Sequence, residues 1–303
     1  MTNMEKLDAF IGKLDVKVWD RQSREERLAL LQEFENIMAE TEHREALHIH
    51  VISKEQYEQS PNTMGYFNGK DIYLNPRYLT AKSLVAGSVS SFSIAQALGT
   101  IAHEGRHAWQ HYVIDHPELQ MVDEKTRLLM QANFTGYFSP AEREDDPMVL
   151  EKHTLYEAQL IELDARRFQK QIILYIAQKL AEKNGVPDRI FMHAERQCIA
   201  RERSEAERLL HLFSEAQLKE IEQEFIEQMI RQKGFEQIDS SDFAVFDDAI
   251  RFLRSKDIRA FVEGKPVPKQ GVYKDVKKVD GETVWKAPDK PRIRYRSNKK
   301  KFR

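Results

Sequence analysis

Between Ser93 and Val113 the chain reads SIAQALGTIAHEGRHAWQHYV, a helical run that Pro117 closes, and no other stretch constrains the fold as strongly. On a helical wheel Leu98, Ala102, Gly105 and Trp109 form one apolar stripe. Gln96, Thr100, His103, His107 and Gln110 line the opposite side. The two histidines, four residues apart, therefore share a polar face outside the apolar seam, and their rings can converge on one point.

The elements around this helix are legible from period and punctuation. SREERLALLQEFENIMAE opens with a capping box, Ser23 with Glu26, and spaces Leu30, Leu31, Phe34, Ile37 and Met38 as an amphipathic helix does. ALHIHVIS (46–53) alternates as a strand, with Leu47, Ile49 and Val51 on one face and His48, His50 and Ile52 on the other. MGYFNGKDIYLNP carries Asn68-Gly69 between two β-prone runs and predicts a hairpin. One long helix is expected from about Glu151 to Lys183, stopped by Asn184-Gly185 and Pro187. Charged amphipathic helices follow in DRIFMHAERQCIARERSEAERLLHLF and SEAQLKEIEQEFIEQMIRQKG, and one more in DFAVFDDAIRFLRSKDIRAFV. The expected fold class is α+β and predominantly helical, with a small antiparallel sheet.

His-Glu-x-x-His on a helix is the arrangement that zinc hydrolysis needs. His103 and His107 supply two imidazoles, a third protein ligand completes the hold on Zn2+, and a fourth position stays open for water. Glu104, beside the first histidine, is placed to take that water's proton as general base.

IAHEGRHAWQ, followed after an insert by YEAQLIELDARRF, resembles the zincin superfamily of metallopeptidases in its glutamate-ligand, gluzincin-like branch, which includes bacterial and phage domains. The similarity covers about residues 45 to 182. It implies that Glu162 is the third ligand after His103 and His107, and that the activity is hydrolysis of a peptide bond in a peptide or protein substrate. The hairpin edge would hold that substrate as an added strand, and the 116–150 segment could cover it. Arg166 stands where the related pattern has an aspartate, so the supporting partner of the ligands is open. Asp164 suits that role, or an ordinary ion pair. With the helix rotated, Asp164 or Glu157 would replace Glu162. Tyr156 is the candidate for stabilising a developing oxyanion, with His153 behind it.

Four regions are expected: an N-terminal helical segment (1–44), the zincin-like core (45–185), a C-terminal helical region (186–262) and a basic tail (263–303). From residue 264 onward there are 14 Lys or Arg against 4 Asp or Glu, so an acidic body precedes a basic, flexible end. That end suits an acidic partner or nucleic acid. Two other readings follow: a non-catalytic interaction protein of a phage or mobile element on the same scaffold, or a nucleic-acid accessory protein working through its tail. Nothing approaches a membrane-spanning length. The single Cys198 fits a reducing compartment, and the expected address is the cytoplasm. His48 and His50 read as a solvated strand face and Cys198 as an idle thiol.

Overall fold

The computed structural model describes residues 2–135, 137, 149–214, 216, 217, 220, 277–279 and 282–284. The chain forms two compact units, Met1–Ile250 and Arg251–Arg303. In the first, helices α1 (Asn3–Lys13), α2 (Val16–Trp19) and α3 (Arg24–Thr41) precede strand β1 (Ile49–Val51), helix α4 (Lys54–Gln59), strands β2 (Gly65–Phe67) and β3 (Ile72–Leu74), and helix α5 (Arg77–Thr80). A short pair, β4 (Leu84–Val85) and β5 (Ser88–Val89), leads into helix α6 (Ile94–Asp115). After a 3-10 turn at Pro117–Leu119 come α7 (Glu124–Thr135), α8 (Val149–Ala158), α9 (Leu160–Asn184) and α10 (Arg189–Leu212). The architecture is α+β and predominantly helical.

Local chemistry sets the element boundaries. Ser23 caps α3 and Glu26 returns the bond, completing the expected capping box. Ser93 caps α6 by accepting from the Gln96 amide. Gly185 ends α9 in the left-handed region at φ +71°. In the hairpin the Asn68 amide bonds to the Asp71 carbonyl, so the two turn residues are Gly69 and Lys70. Gly69, at φ +92°, takes the first turn position, while the Asn68 side chain accepts from the Lys70 and Asp71 amides.

The main sheet has the order β1-β3-β2. β2 and β3 pair antiparallel as a hairpin must, but β1 joins β3 in parallel, with Ile49 opposite Ile72 and Val51 opposite Leu74. The sheet is thus mixed and not wholly antiparallel. The segment carrying α4 and β2 returns the chain so that β3 runs beside β1 in the same direction.

A second correction concerns the long helix expected over 151–183. It is two helices, because Gln159 adopts extended backbone (φ −69°, ψ 149°) between α8 and α9. Asn133 of α7 holds the break. Its Nδ2 donates to Gln159 Oε1 at 3.0 Å and its Oδ1 accepts from the Ile161 amide at 3.0 Å, which supplies the partner that the first turn of α9 lacks. Helical periodicity carries no trace of this, since the amide that stabilises the break lies 26 residues upstream.

One apolar core joins Leu7 and Phe10 of α1, Leu31 and Phe34 of α3, Ile72 and Leu74 of β3, Leu98 and Ile101 of α6, Ile173 and Ile176 of α9, and Phe191 of α10. α6 is the axis, packed on α9, α3, α7, α10, β2 and β3. Residues before position 45 therefore share the core of those that follow. No helix among the described residues is long and apolar enough to cross a membrane.

In the second unit the described residues are an antiparallel pair, β6 (Lys277–Val279) with β7 (Glu282–Val284). Asp280-Gly281 between them in sequence is a hairpin signal within the stretch expected to be a flexible tail. The rest of the basic stretch, the helix expected over 242–262 and most of the one beginning at Ser214 lie outside the described residues.

Candidate metal centre

Much of the polar side of α6 is withdrawn from water. Thr100, His107 and Gln110 are buried, Gln110 completely: Thr100 meets Tyr78 of α5, His107 meets Phe134 of α7 and Glu162 of α9, and Gln110 bonds to α9. Burial forces each polar group there to find a partner inside the protein.

His103 and His107, one turn apart on α6, meet Glu162 from the first turn of α9. Their ligand-capable atoms all lie within 4.8 Å of one another, the one such group among the described residues. The His103 and His107 Nε2 atoms are 3.2 Å apart; Glu162 Oε2 is 3.3 Å from the first and Oε1 3.5 Å from the second. Ligands about 2.0–2.1 Å from an ion at tetrahedral angles stand about 3.3–3.4 Å apart. The two imidazole nitrogens stand at about that spacing, and each is met by a different oxygen of the carboxylate; taken one atom per residue, the three donors fall within 4.8 Å of one another. The donor set, two imidazoles and a carboxylate, suits zinc. The rings are 87° from coplanar with centroids 4.8 Å apart, so each can aim a nitrogen at a common point.

The electrostatics match this closeness. Burial pushes the Glu162 carboxyl upward, but hydrogen bonds and positive charge from His103 and His107 overcome it and hold the group well below the ordinary glutamate range. Burial pulls His107 down, and the Glu162 hydrogen bond and charge, with help from Glu104 and Gln110, lift it to about 9. Protons and a dication compete for these same lone pairs.

Glu104 stands beside the cluster. Its Oε2 accepts from the Phe67 amide of β2 at 3.0 Å, which leaves the other oxygen for a reacting group. Tyr156 stands near the end of α8, three residues before the break at Gln159. Its ring meets that of Tyr137 edge to face at 5.9 Å, and the Tyr137 hydroxyl donates to Glu162 Oε1 at 3.1 Å. Burial and the negative charge of Glu162 push both hydroxyls upward, with Glu104 adding to the effect at Tyr156, so both remain proton donors at neutral pH.

The alternative ligands are engaged elsewhere. Glu157 pairs with Arg201 and Arg208 of α10. Asp164 accepts from Arg106 Nε at 2.8 Å and Nη2 at 3.2 Å, and from Gln110 Nε2 at 2.8 Å. Asp164 is thus an acid paired with an arginine, and it meets His107 only through Gln110. Arg106 is further held by Glu42 and by the rings of Trp109 and Phe168, 3.4 and 5.0 Å away. Burial pushes the Glu42 carboxyl up to about 7 despite Arg44 and Arg106 beside it.

Gly105, the third residue of HEGRH, has a packing reason. A Cβ there would lie 2.5 Å from Arg44 Nη2 and 3.2 Å from Glu35 Oε2, the two members of a buried ion pair pressed on the helix. Sequence reasoning missed Tyr137, the Phe67 amide and the contact between Gln110 and His107. Only the last had a signal, the three-residue spacing on one helix. Comparison with protein-family models, curated proteins and solved structures gives no significant match.

Proposed function

We propose that this chain is a zinc-dependent metallopeptidase on a zincin-like scaffold, with His103, His107 and Glu162 as metal ligands and Glu104 as general base. The observation that carries the reading is the convergence of the three side chains, with the imidazole nitrogens 3.2 Å apart, one Glu162 oxygen 3.3 Å from the first and its other oxygen 3.5 Å from the second. A zinc ion so held supplies Lewis acidity and makes water acidic near neutral pH.

The chain's own groups would do the rest. Glu104, oriented by the Phe67 amide, takes the proton of the attacking water and returns it to the leaving amine. The Tyr156 hydroxyl, kept protonated, is the donor available to a developing oxyanion, while the Tyr137 hydroxyl gives its one proton to Glu162. β2 is an edge strand. The Met64 carbonyl and Asn68 amide bond toward β3, so by the two-residue period the backbone groups of Gly65 and Phe67 turn away from it, the Phe67 amide being taken by Glu104. An extended peptide added along that edge would run past Glu104. A chain with one cysteine suits a reducing compartment, and we place the activity in the cytoplasm.

The test is cleavage of a proteome-derived peptide library by wild type and Glu104→Gln, each loaded with zinc. The expected result is cleavage by the wild type, reduced about 10²–10⁴-fold in the variant with metal content unchanged. Equal cleavage by both would remove Glu104 as the base; no cleavage by a zinc-loaded wild type would count against the peptidase reading.

A further inference from the structure

Gln110 is completely buried three residues after His107 on α6, and its amide makes three contacts. Nε2 donates to the Ile161 carbonyl at 2.9 Å and to Asp164 Oδ2 at 2.8 Å. A carbonyl and a carboxylate only accept, so the amide nitrogen must face α9. Oε1 must then face the other way, where it lies 2.9 Å from His107 Nδ1. An amide oxygen also only accepts, so Nδ1 carries the proton and the neutral ring turns the Nε2 lone pair toward His103 and Glu162.

We propose that Gln110 is a positioning residue that selects the tautomer of His107, and that Asp164, gripped by Arg106, fixes which way the Gln110 amide points. The same amide is bonded to the carbonyl of Ile161, the residue before Glu162. One side chain therefore ties the second imidazole to the helix that carries the carboxylate, and sets both the ring's tautomer and its distance from Glu162. The purpose of this arrangement rests on the metallopeptidase reading; its chemical content, the proton on Nδ1, does not.

Two measurements test it. The first is the two-bond 15N–1H correlation of the His107 ring in zinc-free protein, at a pH where the ring is neutral. The second is the zinc dissociation constant by chelator competition. Both are made on wild type and on Gln110→Met, which keeps the side-chain length and removes donor and acceptor. The wild type should show Nδ1–H alone. Folded Gln110→Met should show a mixture of tautomers and a dissociation constant about 10–100-fold higher. Asp164→Asn, which weakens the hold on the amide while leaving His107 untouched, should shift both readouts in the same direction by less.

A wild-type ring protonated on Nε2 would overturn the proposal even if Gln110→Met does not fold. An unchanged tautomer with zinc affinity within twofold in folded Gln110→Met would overturn it as well. A wild type that carries Nδ1–H but takes up no zinc would uphold the tautomer assignment and count against the metallopeptidase reading alone.

Discussion

The chain carries two pairs of closely spaced histidines, and they have different fates. His48 and His50 lie two apart at strand β1, both exposed, with rings 6.4 Å apart. His50 stacks on Tyr73 and stands 3.5 Å from Asp71, in reach of water. His103 and His107 lie four apart on α6, their Nε2 atoms 3.2 Å from one another, against a Glu162 whose side chain is 2% exposed. Spacing alone does not separate the two pairs, since both put their rings on one face. The difference is the buried carboxylate. Away from water it has to be satisfied by the groups around it, and those groups are left facing a shared point.

The largest effect should come from the donors around that point. Tyr156→Phe should lower kcat about 10²–10³-fold while zinc content stays at the wild-type level, as expected for loss of one oxyanion donor. An unchanged kcat would remove Tyr156 from that role. Next is the wall behind the helix pair. Gly105→Ala presses a methyl group into the Glu35–Arg44 pair and should cost about 1–3 kcal/mol in denaturant unfolding. A cost near zero would mean that this buried pair has room to shift.

The helix pair should also give the metal-free protein a pH signature. The folded value of His107, about 9, lies above its ordinary 6.5, so its contribution to stability is complete below about 6.5 and is lost as pH rises through 9. Glu162 is shifted the other way: its contribution is present above the ordinary glutamate value and disappears as pH falls through its lower folded value. Urea midpoints of metal-free protein should therefore decline from neutral pH toward pH 9–10. Zinc added in excess should oppose the decline, because the ion binds the deprotonated ligands. A flat metal-free profile over that window would mean that His107 and Glu162 do not share charge as the structure has them. The smallest effect belongs to the strand pair. His48→Ala with His50→Ala should leave zinc content unaltered and stability within about 0.5 kcal/mol per exposed site; loss of zinc would make the strand pair a second contributor.

Much of this was legible because the signals are local. The i, i+4 histidines, the Ser23–Glu26 box, the Ser93 start of α6 and the Gly185 stop are each written within a few residues. Other features depend on residues distant in sequence. The break at Gln159 needs Asn133, the parallel placement of β1 needs the whole β1-to-β3 segment, and the burial of the polar side of α6 needs α9 laid across it. Tyr137 lies in a stretch of sequence whose composition carries no hint of chemistry. The exclusion of Glu157 and Asp164 likewise required seeing Arg201, Arg208 and Arg106 take them. A helical wheel could state that Glu162 and Asp164 point apart, but not which of them faces the histidines.

The most direct test is elemental analysis of protein purified without added metal, comparing wild type, His103→Ala, Glu162→Ala and the His48→Ala/His50→Ala double variant. One zinc per chain in the wild type and in the double variant, and none in the other two, is the expected result. Zinc absent from a folded wild type even after it is added back, or retained by Glu162→Ala, would contradict a centre built from His103, His107 and Glu162.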